Sequence, residues 1–359
     1  MNLKKIDTPL FLTDSSVLKA QYKLIKNNLN KYWGINNIVA YPFKTNYEIA
    51  TFFKKENEIY AEVASKMEYE KAKNLEYSDS QIIYNGPFKE NLSEVLKTKI
   101  IINLDNFGEI KKILETKNIK ANIGLRLNSN LKKSRFGFNI ENNEAQIALK
   151  KLDNIKINSL HVHLGFFTKP KVYKKLAKRI IDFISNNNLD IKYIDFGGGF
   201  PSQNNKPYNF RGNSYFPIEE YIKNICEPLN KFYFKKNKPS LILEPGRFLV
   251  DESTILISKI IDFKYTKNNQ YIIVDATNNM LSSSWYRPLI IETLKNKSTR
   301  SIKTTIYGAS CQEDDILFQG QLPLIKIDDF LIFKCVGAYN QNMNSNFIFS
   351  KAKHFFKKL

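Results

Sequence analysis

The chain is short of cysteine and arginine and has no long apolar run, and each shortage removes a class of protein. Its 359 residues include three cysteines, Cys226, Cys311 and Cys335, too few and too widely spaced for a disulfide framework or a zinc knuckle. Two of them are expected to be buried small apolar residues, and no metal is expected. No segment reaches roughly eighteen uninterrupted apolar residues, and Met1-Asn2-Leu3-Lys4-Lys5 leads into no apolar stretch with a small-residue cleavage site. A soluble, cytoplasmic protein without membrane contact is therefore the expectation. Arginine stands only at positions 126, 135, 179, 211, 247, 287 and 300, so lysine supplies nearly all of the formal +20 charge. Lysine, asparagine and isoleucine together read as an A+T-rich coding bias spread over solvated faces. No basic run is interleaved with aromatics as a base-stacking platform needs, so nucleic acid is not an expected partner.

What is present describes a folded globular chain, 43% hydrophobic and 13% aromatic. From Ile38 onward, short β-branched runs alternate with amphipathic stretches. The runs are Ile38 to Lys44, Ile59 to Ser65, Gln81 to Pro87, Lys99 to Asp105, Lys120 to Asn128, Ile157 to Gly165, Ile191 to Gly199 and Ser240 to Val250. Eight strands separated by helical patterns predict an α/β fold, a closed (β/α)8 TIM-like barrel over residues 36–250. Beyond Val250 the runs Ile255 to Phe263, Tyr271 to Asp275, Thr304 to Tyr307 and Asp329 to Val336 predict a mainly β C-terminal domain over 251–359. Residues 1–35 are expected to pack with it. There is no solenoid-period repeat and no low-complexity linker.

A barrel of this kind carries its site at the C-terminal ends of its strands, and the residues suited to chemistry fall there. The segment Ile194 to Pro201, I-D-F-G-G-G-F-P, runs a strand into Gly197, Gly198 and Gly199 and places bare backbone where an anion can come close. Lys44 ends the first strand after Tyr41-Pro42-Phe43. Apolar neighbours disfavour its charged form and predict a neutral amine for Schiff-base formation. Glu62 and Ser65 end the second strand and Arg126 the fifth. His161 and His163 are expected on opposite faces of the sixth strand, with only His163 entering the barrel mouth, where it can stack on a flat ring. In Glu244-Pro245-Gly246-Arg247 a carboxylate suits a ring nitrogen and a guanidinium suits a phosphate.

In the C-terminal region, Cys311-Gln312-Glu313-Asp314-Asp315 sets a thiol beside carboxylates that favour its protonated form. A proton donor and a surface acidic turn are the competing readings. Gly337-Ala338-Tyr339 offers a phenol after a small-residue turn, either a phosphate contact or a capped strand end. Together these residues predict a site for a phosphorylated aromatic cofactor.

On these motifs the chain resembles, over nearly its whole length, the fold-type III pyridoxal-phosphate decarboxylases. This is the ornithine, arginine and diaminopimelate decarboxylase group, whose barrel is alanine racemase-like. The resemblance implies pyridoxal 5'-phosphate as cofactor, Lys44 as Schiff-base lysine and His163, second in H-x-H-x-G, as the ring-stacking residue. It implies Gly197, Gly198, Gly199, Gly246, Arg247 and Tyr339 as phosphate-side residues, and Glu244 as partner of the pyridine nitrogen. Weaker matches are Ala61 to Ser65, Leu125 to Asn128, which contains Arg126 as a substrate-side group, and Ser134 to Gly137. Cys311, as proton donor, Asp315 and Tyr339 match residues that in the family reach across a dimer interface, implying a homodimer with shared sites. Asp275 to Pro288, D-A-T-N-N-M…Y-R-P, resembles the diaminopimelate type, implying substrate-side roles for Asp275 and for Arg287 as reader of a distal carboxylate.

Two positions depart from the family. Phe166 replaces a serine that helps to hold the phosphate, and Gln312 replaces an acid that reads a distal ammonium, leaving Glu313 or Asp314 as substitutes. The expected activity is amino-acid decarboxylation, with diaminopimelate or a relative bearing a distal carboxylate as substrate. A larger amino-carboxyalkyl conjugate as substrate, or a non-catalytic binding protein, are the alternatives. The racemase relatives set an arginine against the ring nitrogen, where this chain has Glu244.

Overall fold

The computed structural model describes residues 7–55, 59–165, 168–202, 216–293, 301–325 and 329–357. Phe166 lies outside them. The chain opens with β1 (Leu10–Asp14) and α1 (Ser15–Tyr32), the helix starting where the Asp14 carboxylate accepts from the Ser16 N–H.

The barrel follows as β2 (Asn37–Pro42), α2 (Tyr47–Lys55), β3 (Ile59–Val63), α3 (Lys66–Asn74), β4 (Ile82–Tyr84), α4 (Leu92–Val95), β5 (Ile101–Leu104), α5 (Phe107–Glu115) and β6 (Asn122–Asn128). It continues through β7 (Phe138–Asn139), α6 (Glu144–Lys151), β8 (Ile157–Val162), α7 (Pro170–Asn186), β9 (Tyr193–Asp195), α8 (Ile218–Phe232), β10 (Ser240–Leu243) and α9 (Gly246–Val250). All pairings are parallel in the order β5-β4-β3-β2-β10-β9-β8-β6. Pairing of β5 with β6 closes the ring, and β7 adds two residues beside β6.

The strands read as continuous apolar runs because both of their faces are covered; every residue of β2 is buried. The helices cover the outside with one apolar stripe each. In α7 it is Tyr173, Leu176, Ala177, Ile180, Phe183 and Ile184, spaced three and four apart. Ser65 and Asn106 start α3 and α5 by accepting from the N–H of Glu68 and Glu109. Ser65 thus caps a helix after its strand. The eighth predicted strand is shorter than expected: Pro245 and Gly246 end it, and Gly246–Val250 turns as a helix.

The remaining strands are β11 (Thr254–Tyr265), β12 (Asn269–Val274), β13 (Ile290–Thr293), β14 (Ser301–Tyr307), β15 (Ile316–Pro323), β16 (Phe330–Lys334) and β17 (Lys353–Lys357). They form one sheet, order β13-β16-β11-β12-β14-β15, with its own core around Leu256, Ile272, Leu331 and Phe333. The first residues divide between the two cores. β1 lies in this sheet, antiparallel to β11 and parallel to β17, whereas Leu18, Ile25 and Leu29 of α1 pack into the barrel core. Cys226 and Cys335 are buried and Cys311 is exposed. Among the described residues no helix is long and apolar enough to cross a membrane.

Candidate active site

Each barrel strand delivers polar groups to its C-terminal end, above an apolar plug of Ile38, Ala40, Ile83, Ile101 and Ile242. Lys44 lies in the single turn after β2 (Phe43–Thr45), Glu62 in β3, Asn85 after β4 and Arg126 in β6. His161 lies in β8 with His163 just beyond it, Asp195 ends β9, and Glu244 follows β10. All of these but the fully buried Asp195 line a cavity of about 620 Å³, within the usual range for a ligand site.

A second hollow of about 50 Å³ shares Lys44, His163 and Glu244 with the first, and Gly198, Gly199, Gly246, Arg247 and Tyr339 are among its other lining residues. The two therefore form one continuous site. Tyr339 reaches it from its own chain, which corrects the expectation that it crosses a dimer interface.

The lysine is not the neutral amine its apolar flanks predict. Burial does pull its proton affinity down, but the carboxylates of Glu62 and then Glu244 more than offset this, and the net shift is upward. Its Nζ donates directly to Glu62 Oε2. The local sequence Tyr-Pro-Phe-Lys cannot reveal two carboxylates delivered by other strands.

Glu244 is held by a buried relay that the sequence does not advertise. Ser159 Oγ donates to Asn103 Oδ1 at 2.8 Å, and Asn103 Nδ2 donates to Asn85 Oδ1 at 2.9 Å. Asn85 Nδ2 then donates to Glu244 Oε1 at 2.6 Å and to Glu62 Oε1 at 3.3 Å. Burial, then the neighbouring charges of Asp195 and Glu62, push the Glu244 carboxyl well above the ordinary range. Asp195 is pushed up to about 7, also chiefly by burial. The only sequence signal for Asn85 was its place at a strand end, before a glycine.

Both histidines face the cavity, which corrects the expectation of opposite faces. Residues two apart along a strand share a face, and the two ring centres lie 6.4 Å apart. Burial first, then the cations Arg126, Lys44 and Lys132, pull His163 down to about 3, so its ring is neutral. The Gly198 N–H donates to His163 Nδ1 at 3.1 Å, which assigns the ring proton to Nε2. His161 is more deeply buried, also neutral, and its Nε2 lies 3.8 Å from Glu244 Oε1. One ligand atom from each of His161, His163 and Glu244 falls within 4.8 Å of the others.

The triglycine serves mainly as packing. The Gly197 N–H donates to Asp195 Oδ1 at 2.8 Å and the Gly198 N–H to His163, so neither amide is directed at an anion within this chain. Gly197 has φ +62° and Gly199 φ +90°, conformations that favour glycine. A Cβ on Gly197 would stand 2.6 Å from His163 Nδ1, and one on Gly198 would collide with the Glu244 carbonyl. Bare backbone is thus what allows His163 and Glu244 to sit on either side of this turn.

The residues present fit pyridoxal 5'-phosphate. A hollow edged by Gly198, Gly199 and Gly246 with Arg247 and Tyr339 suits a phosphate, and it opens beside the flat imidazole of His163, the Glu244 carboxyl and the Lys44 amine. The Arg247 guanidinium is 8% exposed, donates to Tyr286 Oη at 3.1 Å and lies 5.2 Å from the centre of the Tyr339 ring.

Other expected site residues lie elsewhere. Arg287 is buried and grips both oxygens of Asp251, at 2.9 and 3.1 Å, as well as the Cys335 carbonyl, so it lines neither hollow. Asp275 accepts from Ser258 Oγ at 2.6 Å and from the Lys259 N–H at 2.9 Å, inside the β-rich region. Asp315 is buried and accepts from the N–H groups of Asn278 and Ser310 at 2.7 and 3.1 Å. It shapes the turn that displays Cys311, Gln312 and Glu313, all exposed and outside the chain's own cavity. Arg126 lines the cavity and pairs with Asp105 at 3.0 Å.

Comparison with known proteins agrees with this geometry. The diaminopimelate decarboxylase of Buchnera aphidicola subsp. Schizaphis graminum is 29% identical across 96% of this chain and 87% of its own length. That of Methanocaldococcus jannaschii is 26% identical across 96% and 84%. The crystal structure of the M. jannaschii enzyme in complex with L-lysine superimposes with a TM-score of 0.87 at 24% identity, covering 99% of this chain and 88% of that one. The family model described as the pyridoxal binding domain of pyridoxal-dependent decarboxylases matches residues 16–251. The chain belongs to the pyridoxal-dependent decarboxylases.

Proposed function

We propose that this chain removes a carboxyl group of diaminopimelate, or of an amino acid that likewise bears a distal carboxylate, as CO2. The observation that carries this reading is a convergence: the Lys44 amine, the His163 ring and the Glu244 carboxyl face one cavity that continues into the Arg247 and Tyr339 hollow. The relatives named for that substrate cover 96% of the chain.

When bound, pyridoxal 5'-phosphate supplies an aldehyde that takes up amines and a ring that accepts the electron pair left by departing CO2. Arg247 and Tyr339 would hold its phosphate, and His163 would offer it the flat face of a neutral imidazole. Lys44 Nζ is held as an ammonium against Glu62, and Glu62 Oε2 is the base placed to take its proton. Glu244, whose proton affinity is raised by burial and whose Oε1 is fixed by Asn85, would be the acid that faces the ring nitrogen and favours its charged form.

The working unit in this reading is a homodimer in which Cys311 serves the partner subunit's cavity. What supports it is the exposure of Cys311, Gln312 and Glu313 on a turn that lines neither hollow of its own chain.

The test is CO2 release by cofactor-loaded protein from meso-diaminopimelate, ornithine, lysine and arginine. Release with highest kcat/KM from meso-diaminopimelate is expected. Silence across the panel would overturn the substrate assignment and favour a larger conjugate.

A further inference from the structure

The arginine that faces the phosphate hollow is held from behind by groups that the reaction as described does not use. Arg247 stands on the short helix α9, and Asp251 follows four residues later, one turn along. Asp251 Oδ2 is 3.6 Å from Arg247 Nη1. At the other terminal nitrogen, Arg247 Nη2 donates to Tyr286 Oη at 3.1 Å. Arg287, the residue after Tyr286, donates to both Asp251 oxygens at 2.9 and 3.1 Å. Two consecutive residues of the β-rich region therefore address both terminal nitrogens of Arg247, Tyr286 directly and Arg287 through the carboxylate it fixes.

Tyr286 and Arg287 are carried on a turn that is tied to the other phosphate-side residue. Ser282–Trp285 makes a single tight helical turn, and the N–H groups of Tyr286 and Arg287 donate back to the Ser283 carbonyl at 3.3 and 3.1 Å. Pro288 has no N–H with which to continue it. Ser282 Oγ donates to the Tyr339 carbonyl at 2.8 Å, and the Ser283 N–H donates to Oδ1 of the fully buried Asn340 at 2.9 Å. The turn thus touches Arg247 with its end and the backbone of Tyr339 with its start. Tyr286, Asp251 and Arg287 line neither hollow, so what they do for a ligand passes through Arg247. A guanidinium is a planar fork on a flexible stem, and ordering it at the moment of binding costs entropy. Contacts at both terminal nitrogens set its plane beforehand. Tyr286 does so with a hydroxyl, which orients the arginine without neutralising it.

We propose that Tyr286 is a positioning residue for Arg247, through which the turn 282–287 of the β-rich region sets the affinity of the barrel for the cofactor phosphate. This rests on the reading that Arg247 holds that phosphate.

The experiment titrates the full chain, freed of cofactor, with pyridoxal 5'-phosphate and with pyridoxal, which lacks the phosphate, following the absorbance of the bound chromophore. The Kd for pyridoxal divided by the Kd for pyridoxal 5'-phosphate measures the phosphate preference. Both ligands share the aldehyde and the ring, so general damage to the fold weakens both and cancels in the ratio. Wild type, Y286F, R247M and the double variant are compared. Y286F is expected to lower the ratio about tenfold, the worth of a hydrogen bond to a charged group, and R247M to lower it further. Adding Y286F to R247M should change nothing more, because a residue that acts through another has nothing left to act on. A wild-type ratio near one, or a ratio that R247M leaves unchanged, removes Arg247 from the phosphate and the proposal with it. A ratio lowered by R247M but not by Y286F leaves the phosphate with Arg247 and overturns the role of Tyr286. Equal losses from Y286F with and without Arg247 would show that Tyr286 acts by itself, which overturns it as well.

Discussion

The backbone N–H of Tyr339 donates to the carbonyl of Thr45 at 2.9 Å, tying the β-rich region to the turn that presents Lys44. Neighbouring bonds reinforce the tie. Asn46 Nδ2 donates to the Gly337 carbonyl at 2.9 Å, and Asn342 both donates to the Phe43 carbonyl at 3.1 Å and accepts from the Tyr47 N–H at 2.9 Å. Tyr339 itself has φ +63°, a conformation uncommon for a bulky residue, and it is held there by these bonds. The position of the amine is thus set by residues nearly 300 positions later in the chain.

Asn342→Ala removes both bonds to the lysine turn. A loss of about 1–3 kcal/mol is expected for leaving these backbone groups unpaired, read from the denaturant midpoint, together with weaker retention of the cofactor on dialysis. An unchanged midpoint and unchanged retention would mean that the turn holds its shape alone.

Acid should destabilise the cofactor-free protein through its buried histidines. His163 is held near 3 and His354 near 4, against an ordinary 6.5, in both cases chiefly by burial. Between those values and 6.5 the unfolded chain binds protons that the folded chain refuses. This stability is therefore complete above 6.5 and is lost as pH falls through the folded values. Asp195 and Asp251, both pushed up to about 7, act in the opposite direction, their contribution falling as pH rises toward 7. Comparing His163→Leu with wild type isolates one group. The pH slope of stability between about 6 and 4 should fall by the equivalent of about one proton, as measured by urea unfolding at several pH values. Superimposable slopes would show that His163 titrates normally in the fold.

Arg287→Met leaves the Asp251 carboxylate buried without its bidentate partner. Breaking such a pair costs about 3–5 kcal/mol, so the variant should unfold at clearly lower denaturant. KM for meso-diaminopimelate, measured where the variant is still folded, should stay near the wild-type value. A KM increase without loss of stability would return Arg287 to the role its sequence context suggests.

Mixing two inactive variants tests the shared site. Lys44→Ala and Cys311→Ala should each lose most CO2 release alone. If Cys311 serves the partner subunit's cavity, mixed dimers carry one intact site, so activity returns on mixing. No recovery after exchange, in a preparation shown to be dimeric by light scattering, would contradict the shared arrangement.

The barrel was legible because its strands, covered on both faces, stand out as apolar runs and end in glycine, proline or a capping residue. The β-rich sheet was less so. β15, I-L-F-Q-G-Q-L-P, has burial that changes along its length, and β1 and β17 acquire their pairing only from each other and from β11. At the site, the motif residues Lys44, His163, Glu244, Gly198, Gly199, Arg247 and Tyr339 all line one hollow, since each sits at a strand end or a tight turn. What could not be read was anything set by side chains meeting across the barrel: the ammonium on Lys44, the Asn85 relay and the capture of Arg287 by Asp251. The placing of His161 away from the site was an error of periodicity rather than of missing information, because the pleat repeats every two residues.

In the proposed reaction Lys44 is the amine that takes up the cofactor aldehyde. Borohydride reduction of protein loaded with pyridoxal 5'-phosphate, followed by peptide mass spectrometry, tests this directly. A single stoichiometric cofactor-derived label on Lys44, absent from Lys44→Ala, is the predicted result. A label on another lysine, or none despite bound cofactor, would contradict it.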